Sequence, residues 1–348
     1  MDGTYNQINS LYTVRMRTVV GVLRGGPTSE YEVSLRSGAN FLAALDKEKY
    51  ESRDLFIDRS GQWHNFGAPV VPERALRGVD VALNAIHGEY GEDGRLHEIL
   101  DSFAIPYTGS DKTASVLAFN KARTKQAVKK IGIKTPRAIM IDREDIHGDM
   151  DELAYNIFRT FPHPAIVKPV IGGSSVGVTV VNNYSQLGWA LEQAFMVSPQ
   201  ALIEEYIKGR EATVGVIDDF RGEKFYALMP VEIIPPRENP FFDYDAKYSG
   251  ATIERVPGNF TLEQKEELMD AARRAHEVLG LSHYSRSDFI VARRGIYFLE
   301  ANNAQAVGMS DQSIYPKALL AVGAKMSDFL DHIITLARGE KKIKIRTS

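Results

Sequence analysis

The stretch RSDFIVARRGIYFLEAN, residues 286–302, decides how the rest of this chain is read. Two runs rich in β-branched and aromatic residues flank Arg293-Arg294-Gly295, which predicts a β-hairpin. Side chains alternate along a strand, so Arg286 and Asp288 share one face, as do Glu300 and Asn302. A turn centred on Arg294 sets Asp288 opposite Glu300. One face then carries two carboxylates, a carboxamide and a guanidinium, while Phe289, Val291, Tyr297 and Leu299 supply the apolar remainder. Oxygen donors of this kind suit a hard cation such as Mg²⁺, which takes its other ligands from water and substrate phosphates. A surface hairpin with paired charges is the plain alternative.

With 348 residues the chain has room for two or three domains and a sizeable core. Its net charge of −3 makes no electrostatic case for nucleic acid or an anionic membrane as partner. The absence of cysteine excludes disulfides, thiol catalysis and Cys-based zinc sites, and agrees with a cytoplasmic location. Residues 1–15 read as a loose leader without the apolar core of a signal peptide. No run approaches the roughly 18 apolar residues of a membrane helix.

Thr18 to Leu23 is a short β-branched run of the kind buried in a parallel sheet. It ends in Arg24-Gly25-Gly26-Pro27, after which Thr28-Ser29 can cap a helix with Glu30 and Glu32 in its first turn. A second run, Val79 to Ile86, leads into HGEYGEDG (87–94), where three glycines and three acids surround His87. Residues 103–107 predict a third strand, completing an open α/β domain near residue 109. Ser110-Asp111 can cap a helix to about Lys130 that puts Lys121 and Lys125 on one face, and a solvated basic face accounts for Lys125, Lys129 and Lys130.

Strands follow at 165–170 and 178–181, with Lys168 inside the first, where a charge needs an anion or a cleft. Between them GGSSVG (172–177) reads as a flap whose backbone N–H groups can cover phosphate. Ala201 to Ile207 and Ala212 to Ile217 open a third, antiparallel region, with Glu204 and Glu205 on opposite faces. Residues 235–250, rich in Pro, aromatics and Asp, suggest a lid. Leu262 to Leu279 is an amphipathic helix stopped by Gly280, another helix covers Ala318–Leu320, and the basic tail 339–348 reads as frayed.

Taken together, GGPTSEYEVSLRSG (25–38), HGEYGEDG (87–94), PYTGS (106–110), IVKPVIGGSSVGV (166–178), LIEEYIKGRE (202–211), FFDYDAKY (241–248) and RSDF…LEAN (286–302) stand in an order that resembles the D-alanine–D-alanine ligase family of the ATP-grasp ligases. The similarity runs from about Thr18 to Arg338. It implies an α/β (α+β mixed) ATP-grasp architecture. An N-terminal Rossmann-like open sheet (1–109) would precede two ATP-grasp subdomains, a central one (110–204) and a C-terminal one (205–348) with lid and metal site. It also implies ATP-dependent joining of two D-alanines through an acyl phosphate, for peptidoglycan precursor synthesis, by a homodimer formed through the first domain.

Roles carry over only to matching positions. By resemblance, Lys121, Lys168 and flap residue Ser175 meet the ATP phosphates, Lys247 reaches the γ-phosphate, Glu204 and Tyr206 lie at the adenine, and Glu211 lies at the ribose. Asp288, Glu300 and Asn302 would hold two Mg²⁺ ions, with Mn²⁺ able to substitute. Glu30 would meet the first ammonium and join Ser174 and Tyr248 in a trio linking first domain, flap and lid. His87 would lie near the amino acids, Arg286 would stabilise an oxyanion, and Gly308 with Ser313 would clamp the second carboxylate. Tyr248, rather than Phe, favours D-alanine as the acceptor.

The family usually continues past its metal Asn with Thr-x-Pro-Gly. Here Asn303-Ala304-Gln305-Ala306-Val307-Gly308 has two extra residues and no proline, which predicts a less pre-organised acceptor loop. His97 and Asn120 depart from the usual Gln and Asp. Two alternatives therefore accompany the ligase reading: another ATP-grasp carboxylate–amine ligase with a different acceptor, and a nucleotide-binding relative without turnover.

Overall fold

The computed structural model of the chain describes residues 17–173, 175–235 and 252–346, with side chains as far as 339. The leader, Ser174, and the lid residues Lys247 and Tyr248 lie outside the described residues. Three sheets make up the described chain.

The first sheet comprises β1 (Thr18–Gly25), β2 (Tyr50–Ile57), β3 (Trp63–Asn65), β4 (Ala68–Val70) and β5 (Val81–Asn84), in the order β4-β3-β2-β1-β5. Strands β2, β1 and β5 are parallel; the apolar runs of β1 and β5 predict this, whereas the more polar β2 gives no such signal. Helix α1 (Tyr31–Ala44) packs on this sheet, and α2 (Pro72–Leu76) and α3 (Arg95–Ser102) follow in the chain. Glu30 is the residue before α1 rather than part of its first turn, and its N–H donates to Thr28 Oγ1 (3.2 Å). The expected strand at 103–107 does not form. Phe103 ends α3 and Ala104 turns with φ +52°, so only a bridge from Tyr107 to Ala82 survives.

The single helix expected over 110–130 is two: α4 (Lys112–Phe119) and α5 (Lys121–Lys130). Asn120 adopts an extended conformation, and its side chain accepts from Arg123 N, so it closes one helix and caps the next. Both helices pack into the apolar cluster of the third sheet, with Ala114, Ala118 and Val128 beside Ala212, Phe289 and Phe298. The second sheet has the order β6-β9-β7-β8, from β6 (Ala138–Asp142), β7 (Ala165–Pro169), β8 (Thr179–Val181) and β9 (Gln200–Glu205). Helices α6 (Met150–Thr160) and α7 (Tyr184–Phe195) fill its apolar face through Ala154, Ile157, Leu187 and Leu191.

The third sheet is antiparallel and holds β10 (Arg210–Phe220), β11 (Glu223–Ala227), β12 (Val231–Ile234), β13 (Ile253–Arg255), β14 (Tyr284–Ala292) and β15 (Gly295–Asn302). Helix α8 (Leu262–Val278) covers one face behind a capping box at Thr261 and Gln264. Helix α9 (Ile314–Ala321) leads to α10 (Met326–Arg346), which stays helical to Arg346, within the stretch expected to fray. Phe329 and Ile333 of α10 join Val20, Leu83, Tyr284 and Tyr315 in one core, so the end of the chain seals the first sheet against the third. The Tyr50 hydroxyl donates to Asp331 Oδ1 at 2.5 Å across that junction.

The hairpin of β14 and β15 pairs Asp288 with Glu300 and Arg286 with Asn302, the expected pairs, by a different route. Its turn is Arg293-Arg294 between the pair Ala292 and Gly295, half a residue away from a turn centred on Arg294. A bulge at Asp288/Phe289 then absorbs one residue of β15, so Phe289 meets Phe298 and Leu299 is extra. The core face is therefore Ile296, Phe298 and Ala301, not Tyr297 and Leu299 as expected. Leu299 and Glu300 both turn toward a cavity. Accordingly, Phe298→Ala is predicted to cost about 3–5 kcal/mol in unfolding free energy and Leu299→Ala about 1 kcal/mol or less, measured by denaturant titration. The reverse ranking would restore the simple alternation.

Candidate active site

On the exposed face of the hairpin, Asp288 is the hub. Arg286 grips it as a fork, Nε to Oδ1 at 3.0 Å and Nη2 to Oδ2 at 2.9 Å. Thr213, directly across from it on β10, donates its hydroxyl to Oδ1 at 2.5 Å. Asn302 Nδ2 donates to Oδ2 at 3.0 Å. Burial opposes the charge on Arg286, but Asp288 beside it, with Glu300 and Glu211 further off, raises its pKa above even the usual range. Among the described residues no three His, Asp or Glu side chains gather as a metal group. A cation here must therefore take Asn302 as its third donor, through the Oδ1 left over from the bond to Asp288. Two carboxylates and one carboxamide oxygen facing a cleft fit a hard divalent ion.

Three lysines approach the same cleft. Lys121, the first residue of α5, donates Nζ to Gly172 O of the flap at 2.5 Å and lies 3.8 Å from Glu300 Oε2. Lys168 on β7 reaches Glu204 Oε2 at 3.0 Å, and Lys125, one turn beyond Lys121, reaches Glu204 Oε1 at 3.0 Å. Lys125 is therefore not on a solvated basic face: it is 6% exposed and points inward. Helix α5 had to break at Asn120 and pack on β15 to turn it that way, which periodicity alone does not disclose. Burial lowers the Lys125 pKa to about 8, against the upward pull of Glu204. Burial would raise Glu204, yet the two lysines hold it below its ordinary value. Its neighbour Glu205, expected on the opposite face, accepts from Arg137 N at 3.1 Å and lines the same cavity.

The first domain supplies the far wall. His87 is buried, with Nε2 2.9 Å from Ser37 Oγ, and its carbonyl accepts from Thr28 Oγ1 at 2.7 Å. Burial, helped by the positive charge of Arg286, lowers its pKa from 6.5 to about 4, so it is neutral at pH 7. Glu92 accepts from Gly88 N at 2.5 Å, and burial together with the nearby Glu30 charge pushes its carboxyl well up. The Glu30 carboxylate lies where a Cβ on Gly173 would collide with it, so flap and first domain meet at that point. Ser175 holds a left-handed φ of +59° between Gly172 and Gly177, which a short loop needs to fold back.

The loop after Asn302 is held firmly despite lacking proline. Asn303 caps a turn at 304–306, Gln305 Nε2 donates to Thr108 O at 3.1 Å, and Ala304, Val307 and Met309 enter the core. Met309 is bound on both sides by the first domain, its N–H donating to Ser37 Oγ and its carbonyl accepting from Asn40. Packing has replaced the fixed φ whose loss predicted looseness. Beyond it, Ser310 Oγ and Ser313 Oγ lie 2.8 Å apart.

These groups surround one cavity of about 1020 Å³, with Lys125 and Ser37 behind its wall. Glu30, His87, Lys121, Lys168, Ser175, Glu204, Tyr206, Glu211, Arg286, Asp288, Glu300, Asn302, Gly308 and Ser313 are all on its wall; Ser174, Lys247 and Tyr248 lie outside the described residues. Sequence reasoning missed Thr213, Ser37, Glu92 and the inward turn of Lys125. Only the charge of Lys125 beside an apolar helix face could have flagged it.

The depressed His87 pKa carries a signed prediction. Between pH 6.5 and about 4 the unfolded chain takes up a proton that the folded chain refuses, so stability falls as pH drops through that window and is flat above it. The expected contribution is up to about 3 kcal/mol. His87→Gln should remove that slope from unfolding midpoints measured at pH 4–7, and an unchanged slope would refute it.

Against known proteins, the family model described as D-ala D-ala ligase C-terminus matches residues 127–335, and the D-ala D-ala ligase N-terminus model matches residues 19–75. A D-alanine–D-alanine ligase of Geotalea uraniireducens is 36% identical over 320 residues, 91% of this chain and 95% of that protein. Two solved structures are similar as well. The VanG D-Ala:D-Ser ligase of Enterococcus faecalis is 28% identical, with TM-score 0.80 over 92% of this chain and 99% of that one. The D-alanine–D-alanine ligase of Bacillus anthracis complexed with ATP is 31% identical, with TM-score 0.75 over 94% and 99%. Both carry the ATP-grasp fold, and with matches spanning nearly the whole length this chain belongs to the D-alanine–D-alanine ligase family.

Proposed function

We propose that this chain joins two D-alanines into D-alanyl-D-alanine while ATP becomes ADP and phosphate, the product serving as a peptidoglycan precursor. The observation that carries this reading is the convergence of Arg286, Asp288, Glu300 and Asn302 with Lys121 and Lys168 on one cavity. A carboxylate is a poor acylating agent. Its oxygen attacks the γ-phosphorus, ADP leaves, and an acyl phosphate forms. The unprotonated amine of the second D-alanine then attacks the acyl carbon and phosphate departs.

Lys121, Lys168 and Ser175 meet the phosphates in this scheme, with Lys247 of the lid at the γ-phosphate. Two Mg²⁺ ions, or Mn²⁺, held by Asp288, Glu300 and Asn302 would offset charge on the moving phosphoryl group. Tyr206, Glu204 and Glu211 serve the nucleoside. Glu30 receives the first ammonium and, with Ser174 and Tyr248, joins domain, flap and lid. A neutral His87 beside the amino acids adds no charge that would repel an ammonium. Arg286 Nη1, which the fork to Asp288 does not use, favours the oxyanion of the tetrahedral intermediate. Gly308 and Ser313 hold the second carboxylate. Closing lid and flap keeps water from the acyl phosphate.

A second reading, with another acceptor, is favoured by one observation. Lys317 and Glu254, 2.7 Å apart, line the cavity near Ser313 and bring charge to its acceptor end. Phosphate release measured with ATP, Mg²⁺ and a panel of D-amino and D-hydroxy acids decides between them. Turnover with D-alanine alone is expected, whereas turnover only with another acceptor would replace the reading. Release with none of the panel, despite ATP binding, would leave a non-catalytic relative. A homodimer is part of the same proposal and is tested by sedimentation. Arg286→Ala is expected to keep nucleotide affinity while kcat falls at least about a hundredfold; undiminished turnover would remove Arg286 from the mechanism.

A further inference from the structure

Lys125 does not line the cavity, yet it is buried behind it and holds one oxygen of Glu204, while Lys168, which does line it, holds the other. We propose that Lys125 is a positioning residue for nucleotide binding: by occupying Glu204, it leaves Lys168 with an uncompensated positive charge toward the ATP phosphates. This rests on the placing of Lys168 at the phosphates.

The reasoning is one of charge. Two ammonium groups and one carboxylate leave the cluster with a single positive charge. Glu204 is 1% exposed, so water does little to screen it. Lys168 alone with Glu204 would form a neutral buried pair, and a neutral pair has little to offer a polyphosphate. Glu204 is needed in turn, because two buried ammonium groups this close together repel. Its place on β9, between α5 and β7, makes it the spacer that allows both lysines to be buried. Glu300 on β15 adds negative charge that also bears on Lys125, and Lys121 lies 3.8 Å from Glu300. The i, i+4 spacing of Lys121 and Lys125 thus gives one helix face two tasks, since Lys121 reaches the flap directly and Lys125 works through Glu204.

The test is calorimetric titration of the full chain with ADP and Mg²⁺, which requires no ligation, beside steady-state kinetics. Lys125→Met is expected to weaken ADP binding and raise KM for ATP by about tenfold or more, with KM for the amino acid within about twofold. Lys125→Arg should restore both to within about threefold. The pair Lys125→Met with Glu204→Gln is the decisive variant, because it removes both charges and returns the cluster to a single positive charge. It should bind ADP more tightly than Lys125→Met alone, even though Glu204→Gln also alters the adenine end. A merely structural role predicts the opposite, with the double variant the weaker. If Lys125→Met fails to fold, the double variant is titrated with Mg²⁺ and inorganic pyrophosphate, which has no adenine for Glu204 to meet: affinity within about fivefold of wild type supports the proposal, and a larger loss overturns it. Absence of ligation by the unsubstituted chain, with ADP binding behaving as described, would count against the ligase reading and leave this inference standing.

Discussion

A regular strand buries every second side chain, and β15 must both bury Phe298 and Ala301 and present Glu300 and Asn302 to a cavity. Phe298 shares its parity with Glu300 and Asn302, so unbroken alternation would put all three on one face. One added residue, Leu299, reconciles the two demands, and the bulge puts Glu300 beside Asp288 without exposing Phe298. Everything at the cavity depends on this. Thr213 meets Asp288 across β10, Lys121 approaches Glu300 from α5, and both helices before Ile133 are seated on the apolar side of the same hairpin.

The second feature that shapes the site is charge held out of water. Burying a carboxylate is costly unless it is paired. Each buried acid here is answered. Asp288 has Arg286, Glu204 has two lysines, and Glu92 accepts from Gly88 N while burial and the nearby Glu30 push its pKa well up. These arrangements push the pKa values of Arg286 and Lys125 in opposite directions. Arg286 is surrounded by acids, while Lys125 is buried beside another ammonium. The result is a cavity with lysines toward the flap and the carboxylates Asp288 and Glu300 on its wall, an arrangement that suits the proposed phosphoryl transfer.

Much of the fold was legible because local physics agrees with it. The apolar runs of β1 and β5, the glycines after β1 and β7, the cap at Asp111 and the stop at Gly280 each act within a few residues of their cause. The failures are equally physical. A strand at 103–107 needs partners along its length, but α3 extends to Ser102 and leaves only Tyr107 in reach of β5. The break at Asn120 depends on Lys121 N donating to Val170 O, a bond from another sheet. The acceptor loop lacks proline, which predicts looseness, but Ser37 and Asn40 of α1 tie it down from more than two hundred residues away.

By itself, the sequence determined which residues could do chemistry and in what order they occur. Alternation along a strand and spacing along a helix are properties of the local chain, and the pairing of Asp288 with Glu300 was readable from them. What only the tertiary structure decided is which way the buried charges turn and what answers them. Lys125 faces Glu204 rather than water, burial and Glu30 raise the pKa of Glu92, and Met309 is held by the first domain, because each depends on partners distant in the chain. Long-range packing sets the desolvation and pairing of a charge, and no window of neighbouring residues contains that information.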